Sequence, residues 1–335
     1  MGVGDINSLD LDKYVEECDK LGGIHSPEAI SFADDFTLAL NTQVDQNLDP
    51  FSEAYFDQQL AVYEEISGRS LIQKEGEQTP VEIAAHLNIA NPYGSHDIHF
   101  ISKHCRAVLT ALLVSNLPPN SCILDLGCGW GLSSEMMGYC GATVDAIDIN
   151  PLFVELVNIR SGPRHLKINA QLGEFDDFQS DRKYDMAFFY ESLHHSMKPW
   201  KTLSHISRCI KPSGKITFAG EPVDNTYWKN WGIRLDYLSV YCIRKFGWVE
   251  NAWSKYFITQ CFEYAGFELE LCPLIGLDNG FIGVATRKGA DKNLPFGKPR
   301  FDFASSESIF FRKYQALAHS RWMRVLRFIK KMLRK

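Results

Sequence analysis

The chain has 335 residues, 45% hydrophobic and 23% charged, with a formal net charge of -6. These proportions exclude a low-complexity or fibrous chain and leave room for one elaborated domain, or two, around a large core. No basic segment followed by an apolar one opens the chain and no stretch reaches transmembrane length, which points to a cytoplasmic protein.

Residues 1 to about 25 are polar and acidic with little periodicity, and read as a loosely held lead-in with one short helix at most. Ser26-Pro27-Glu28 has the chemistry of a helix start, and Phe36, Leu38 and Leu40 continue at helical spacing. Asn47 to Pro50 interrupts this pattern, and Phe51, Tyr55, Leu60 and Tyr63 predict a second helix. Residues 1–100 are therefore read as a helical N-terminal extension. Asn91-Pro92-Tyr93-Gly94 is turn chemistry. His99 to Leu117 predicts a helix beside the first strand, with Val108, Leu109, Leu112 and Leu113 facing the core.

Ile123 to Met137 is the stretch around which the rest is organised: an apolar run ends in Asp125, glycines follow at 127, 129 and 131, and helix formers take over. This is a strand, glycine loop and helix, in which bare backbone at a helix N-terminus can lie against a ligand. Thr143 to Asp148 reads as a strand, Pro151 to Arg160 as a helix, and Leu166 to Ala170 and Met186 to Tyr190 as strands. Pro199 to Ile210 follows as a helix closed by Lys211-Pro212-Ser213-Gly214, and Lys215 to Ala219 as a further strand. Such alternation implies a parallel sheet covered on both faces.

Residues 222–263 form an irregular insertion rich in Tyr and Trp, followed by two runs suited to a closing strand pair, Phe267 to Cys272 and Gly280 to Thr286. The insertion fits either a lid that stacks on a flat substrate face or the core of a larger domain or dimer interface. In the tail, 291–335, Trp322, Val325, Leu326, Ile329 and Leu333 recur at helical spacing among basic residues. This basic amphipathic segment, 312–335, suits peripheral contact with the inner face of an anionic membrane, or docking on the enzyme or a partner. The nine cysteines are scattered without a close pair, so they read as reduced thiols and no metal site is expected.

The nicotinamide and flavin fingerprint, Gly-x-Gly-x-x-Gly, places its third glycine one residue later than this chain does. Asp125 two residues before Gly127, with Gly129 and Gly131 after it, resembles motif I of the class I S-adenosylmethionine (SAM) methyltransferases. The resemblance covers roughly residues 105 to 290 and implies a Rossmann-like α/β fold with a mostly parallel seven-stranded sheet. It also implies SAM as cofactor, with Asp125 and the loop at the amino-acid portion. Asp148 with Ile149 would serve the ribose, Glu174 and Phe175 the adenine, and Tyr190 and Glu191 the sulfonium. The methyltransferase domain is accordingly read as 101–290. Asn91-Pro92-Tyr93-Gly94 superficially resembles the Asn-Pro-Pro-Tyr motif of enzymes that methylate nucleobase amino groups. It precedes the glycine loop where that motif follows it, so no nucleic-acid partner is expected.

Ser192-Leu193-His194-His195, with Glu221 after the next strand, is similar to sugar O-methyltransferases of the rebeccamycin type, with Glu where that enzyme has Asp. A sugar hydroxyl is a poor nucleophile until its proton is removed, and histidine beside a carboxylate is suited to removing it. The resemblance implies His195 or His194 as base with Glu221 as partner, acting on a sugar or glycoconjugate hydroxyl in glycan biosynthesis. Gly-Glu-Pro at 220–222 and Gly-Trp-x-Glu-Asn at 247–251 resemble methyltransferases found among bacterial surface-glycan genes. Similar histidine runs occur in carbon methylators of quinones, so a quinone or lipid methyltransferase at the membrane is the alternative reading, and a non-catalytic SAM-binding protein a third.

Overall fold

The computed structural model describes residues 3–72, 80–224, 227–273 and 281–289. The basic segment 312–335 lies outside the described residues. Strand β1 (Asp5–Asn7), helices α1 (Leu11–Lys20) and α2 (Pro27–Phe32), strand β2 (Thr37–Ala39), and helices α3 (Glu53–Ser67) and α4 (Ile83–His86) precede helix α5 (Ile98–Ser115). Strands and helices then alternate: β3 (Cys122–Leu126), α6 (Leu132–Tyr139), β4 (Thr143–Asp148), α7 (Pro151–Ser161), β5 (Ile168–Leu172), β6 (Tyr184–Tyr190), α8 (Pro199–Ser207) and β7 (Ile210–Ala219). The insertion supplies β8 (Trp231–Ile233), α9 (Tyr237–Phe246), β9 (Asn251–Trp253) and α10 (Lys255–Tyr264), before β10 (Phe267–Pro273) and β11 (Phe281–Arg287).

The main sheet has seven strands in the order β10-β11-β7-β6-β3-β4-β5. From β7 to β5 every neighbouring pair is parallel, while β11 runs antiparallel to β7 and β10 to β11. Successive side chains of a strand point to opposite faces, so strands buried on both faces are apolar throughout. Leu124, Leu126 and Phe189 pack on one face with Trp200, Leu203 and Phe257. Ile123, Met186 and Phe188 pack on the other with Val108, Met137 and Val157. The chain leaves β3 toward β4 and β5 and returns to place β6 on the other side of β3. That reversal opens a crevice at the carboxyl ends of β3 and β6.

The N-terminal extension departs from the sequence expectation. Residues 3–25 are anchored rather than loosely held: Leu11, Tyr14 and Cys18 of α1 are buried, and the Tyr14 hydroxyl donates to the Tyr237 carbonyl at 2.9 Å. Leu38 lies in β2, paired parallel with Ile6 of β1, and does not continue a helix. The insertion forms a second core with this extension. Val62, Tyr63 and Ile66 of α3 pack with Val240, Ile243 and Val249, and the Tyr63 hydroxyl donates to the Gly247 carbonyl at 2.8 Å. Trp231, Trp253 and Phe257 of the insertion are fully buried in the core against the main sheet, each ring contributing about 2–3 kcal/mol. Most of the insertion's aromatic residues are therefore core and not a lid.

Two further expectations shift. Helix α5 packs mainly on β7 and β11, with Val108 in the same cluster as Ile123 of β3. Ala107, Val108 and Ala111 face inward, while Leu109 and Leu113 are exposed, because small residues let the helix approach the sheet closely. Lys211 to Gly214 belong to β7 and do not close the preceding helix.

Arg160 fastens the extension to the methyltransferase core. Its buried guanidinium pairs with Glu135 of α6 through Nε–Oε1 at 2.6 Å and Nη2–Oε2 at 3.0 Å. It also donates to the carbonyls of His86 and Ile89. Replacing Arg160 by Met removes the bidentate partner of Glu135 and the guanidinium donor to the His86 carbonyl, while Arg164 stays with Glu135 and the Ile89 carbonyl, a loss of about 1.5–3 kcal/mol. Urea unfolding of Arg160→Met should show the lowered midpoint; an unchanged midpoint would contradict this role.

Candidate active site

The loop after β3 is shaped by two close approaches. Gly127 has φ +73°, and a Cβ there would lie 2.6 Å from the Ser192 Cβ, so only glycine lets this loop meet the loop after β6. Gly131 has φ +88° and leaves no room against Val157, where a Cβ would lie 2.6 Å from Cγ2. Gly131 therefore starts α6 and packs on α7, away from the crevice. Between them the Gly129 amide donates to Asp148 Oδ2 at 2.7 Å, and the other Asp148 oxygen accepts from the Asn150 amide at 2.8 Å. Asp148 thus fixes the loop and presents a carboxylate at its edge.

A cavity of about 300 Å³ fills the crevice, the lower end of the ~300–1,000 Å³ typical of small-molecule sites. Of the residues expected at the cofactor, Gly127, Gly129, Asp148, Ile149, Glu174, Phe175, Tyr190 and Glu191 line it. Asp125 and Gly131 do not. Asp125 is buried behind the loop, where Oδ2 accepts hydrogen bonds from the Ser133 and Ser134 hydroxyls at the start of α6. Burial pushes its carboxyl up to about 6, against the two hydroxyls, which favour the carboxylate. The structure gives Asp125 a supporting place in the loop, not one on the cavity wall.

Sequence reasoning missed several lining residues. Trp130 and Ser192 sit within stretches it singled out, Phe153 within a helix it placed without a role, and Asp176 directly after Glu174 and Phe175. Tyr93 comes from the Asn-Pro-Tyr-Gly turn that was set aside on grounds of order, and Trp248 from the Gly-Trp-x-Glu-Asn stretch of the insertion. Glu191 has φ +50°, a conformation costly for a residue with a Cβ. It turns toward His104, whose Nδ1 lies 3.7 Å from Glu191 Oε2 and meets the Tyr190 hydroxyl. Burial pushes the Tyr190 and Tyr93 phenols well above their usual range, followed by the nearby Glu191 charge, so both remain hydroxyls at neutral pH.

The two histidines have different surroundings. His194 is nearly buried, and its Nδ1 lies 2.8 Å from Glu221 Oε2. A carboxylate only accepts, so this ring nitrogen carries the hydrogen. Glu221 is fully buried and also accepts from the amides of Ser192 and Leu193, both at 2.9 Å, and of His194 at 3.1 Å. Burial raises the Glu221 carboxyl, but His194 and these amides outweigh it and hold the carboxyl below the usual range. His195 is the histidine that lines the cavity, its ring tilted against His194 at 4.4 Å between centroids and edge-on to Trp248 at 5.9 Å. Glu221 therefore serves His194 and the loop, while the cavity-facing base candidate is His195.

The cavity wall carries Asp148, Glu174, Asp176 and Glu191 and, among the described residues, no Lys or Arg. That charge disfavours a phosphorylated cofactor and fits a ligand carrying an ammonium and a sulfonium. Bare backbone at Gly127 and Gly129, the Asp148 carboxylate and the Phe175 ring on the cavity wall complete the fit to SAM. When bound, SAM supplies an electrophilic methyl on a sulfonium.

A family model described as a methyltransferase domain matches residues 98–271, just over half of the chain. Ubiquinone biosynthesis O-methyltransferase of Coxiella burnetii is 30% identical over 98 residues, which are 29% of this chain and 42% of that protein. The protein of the same description from Xanthomonas oryzae pv. oryzae is 30% identical over 96 residues, 28% of this chain and 40% of the relative. The chain thus spans about two fifths of the length of these curated relatives. Among solved structures, a SAM-bound amino pentose methyltransferase from Micromonospora echinaspora is 14% identical, covering 58% of this chain and 98% of that one, with a TM-score of 0.43. A 1,6-didemethyltoxoflavin-N1-methyltransferase from Burkholderia thailandensis is 15% identical, covering 61% and 84%, with a TM-score of 0.43. On the match over residues 98–271, the chain belongs to this methyltransferase family, with SAM as its cofactor.

Proposed function

We propose that this methyltransferase transfers the methyl group to a hydroxyl of a sugar or glycoconjugate, with His195 as the general base. The observation that carries the reading is the division of labour between the paired histidines. His195 faces the cavity that also holds the glycine loop and Asp148, whereas His194 is clamped to Glu221. An acceptor oxygen between His195 and the methyl can give up its proton as the new bond forms, which avoids an oxonium product and contributes about 10²- to 10⁴-fold. Holding that oxygen in line with the methyl lowers the barrier further. The Trp248 indole beside His195 offers an apolar wall for the C–H face of a sugar ring.

A phenolic hydroxyl of a quinone precursor is the second reading, favoured by the O-methyltransferases of ubiquinone biosynthesis to which part of this chain is similar. A phenol ionises more readily than an alcohol and so depends less on the base. The basic sequence 312–335 is compatible with either acceptor being lipid-linked and reached from an anionic membrane surface.

Two measurements test the reading. Calorimetric titration with SAM should show Asp148→Ala binding about tenfold or more weakly than the parent, as expected for loss of charge-assisted hydrogen bonds; unchanged affinity would remove Asp148 from the cofactor. Radiolabelled methyl should enter the glycan fraction of cells lacking the gene, and His195→Ala should reduce that transfer by about 10²-fold or more while SAM affinity holds. Label confined to the quinone fraction would overturn the sugar assignment, and undiminished transfer by His195→Ala would overturn the base.

A further inference from the structure

The Gly-Trp-x-Glu-Asn stretch is the part of the insertion that reaches the histidine pair. Its Val249 is buried in the core shared with the N-terminal extension, and Asn251 opens β9, paired with Ile233 of β8. From this rigid hairpin the Asn251 side-chain amide donates to the Ser196 carbonyl at 3.0 Å, tying the hairpin to the histidine loop. Trp248 lines the cavity on one side. Glu250, on the other, is nearly buried and places Oε2 3.7 Å from His194 Nε2, the ring nitrogen that Glu221 leaves open. Ligating atoms of His194, His195 and Glu250 lie within 4.8 Å of one another.

We propose that Glu250 is a positioning residue for the base: it stands against the second edge of His194 and offsets the positive charge that develops on the histidine pair during transfer. The inference rests on the reading of His195 as base. As the acceptor hydroxyl gives its proton to His195, an imidazolium forms in a water-poor crevice, against a second imidazole. That charge is costly unless a carboxylate is close. Glu221 is already engaged by three amides and by His194 Nδ1. Among the described residues, Glu250 is the carboxylate that converges with both rings. The charged groups facing it are His194, His195 and Arg234, whose Nη1 lies 3.4 Å from Glu250 Oε2 while its Nε pairs with Asp236 Oδ2 at 2.9 Å. Arg234 gives Glu250 a cationic partner in its nearly buried place and holds its orientation. The N-terminal extension and insertion thereby take part in the chemistry: they form the scaffold that brings a charge to a base borne by the methyltransferase core.

The same three groups converge as metal ligands do, and the test separates the two arrangements. In protein bound to S-adenosylhomocysteine, histidine side-chain nitrogen resonances followed against pH report the pair without any acceptor. Removing a negative charge from beside both rings weakens the pair's hold on each proton, so Glu250→Gln should move the paired titrations to lower pH. Glu250→Asp should leave them near the parent values. In transfer to the labelled fraction, Glu250→Gln should lower kcat about tenfold or more and move the acid limb to lower pH, with SAM affinity held within about twofold. Unmoved titrations, or a loss of kcat with the acid limb in place, would overturn the proposal. So would a stoichiometric divalent metal in the purified parent that Glu250→Gln loses. Normal turnover by His195→Ala beside shifted Glu250→Gln titrations would sink the base assignment alone.

Discussion

The buried Glu221 carboxylate at the end of β7 holds the site together. Three backbone amides of the loop after β6 point at its two oxygens, and His194 closes the set. An ionised group removed from water persists only when its oxygens are filled in this way. The arrangement converts one side chain into a template for a whole loop. Ser192, fixed by the same contacts, donates to the Leu126 carbonyl at 2.7 Å and so joins this loop to the strand that leads into the glycine loop. Cofactor wall and histidine pair are therefore one mechanical unit, and a change at Glu221 reaches both.

A second constraint acts from outside the sheet. Two regions distant in the chain, the N-terminal extension and the insertion after β7, complete one core. The Tyr55 hydroxyl donates to the Trp231 carbonyl at 2.7 Å, and Arg244 pairs with Asp12 at 2.6 Å. Neither region has an obvious way to bury its apolar residues alone. Their joint packing sets the hairpin that presents Trp248 and Glu250, and Arg160 holds the segment before α5, with Tyr93, at the other side of the cavity.

The parallel sheet was legible in the sequence because its strands are buried on both faces and appear as short apolar runs separated by helical periodicity. Thr143 to Asp148 was placed to the residue. The cofactor side was legible for a different reason: glycine spacing and acids at strand ends are local signals, and most of the residues they pointed to share one cavity. What failed was whatever depends on partners far along the chain. Leu38 looks helical by spacing and becomes a strand because Ile6 is there to pair with it. Leu109 and Leu113 look like core by size and lose that place to Ala107 and Ala111, which let α5 approach the sheet. Glu221 lies against the histidine run, but which of the two rings it holds is a matter of loop geometry that no spacing reveals.

The central claim is that the crevice delivers the methyl to an oxygen whose proton passes to His195. The most direct test is to run the reaction with SAM carrying a ¹³C-enriched methyl and to locate that carbon in the product by NMR. The account predicts a methyl resonance in the methoxy region, coupled through oxygen to a carbon of the acceptor. A resonance in the N-methyl or C-methyl region would contradict it.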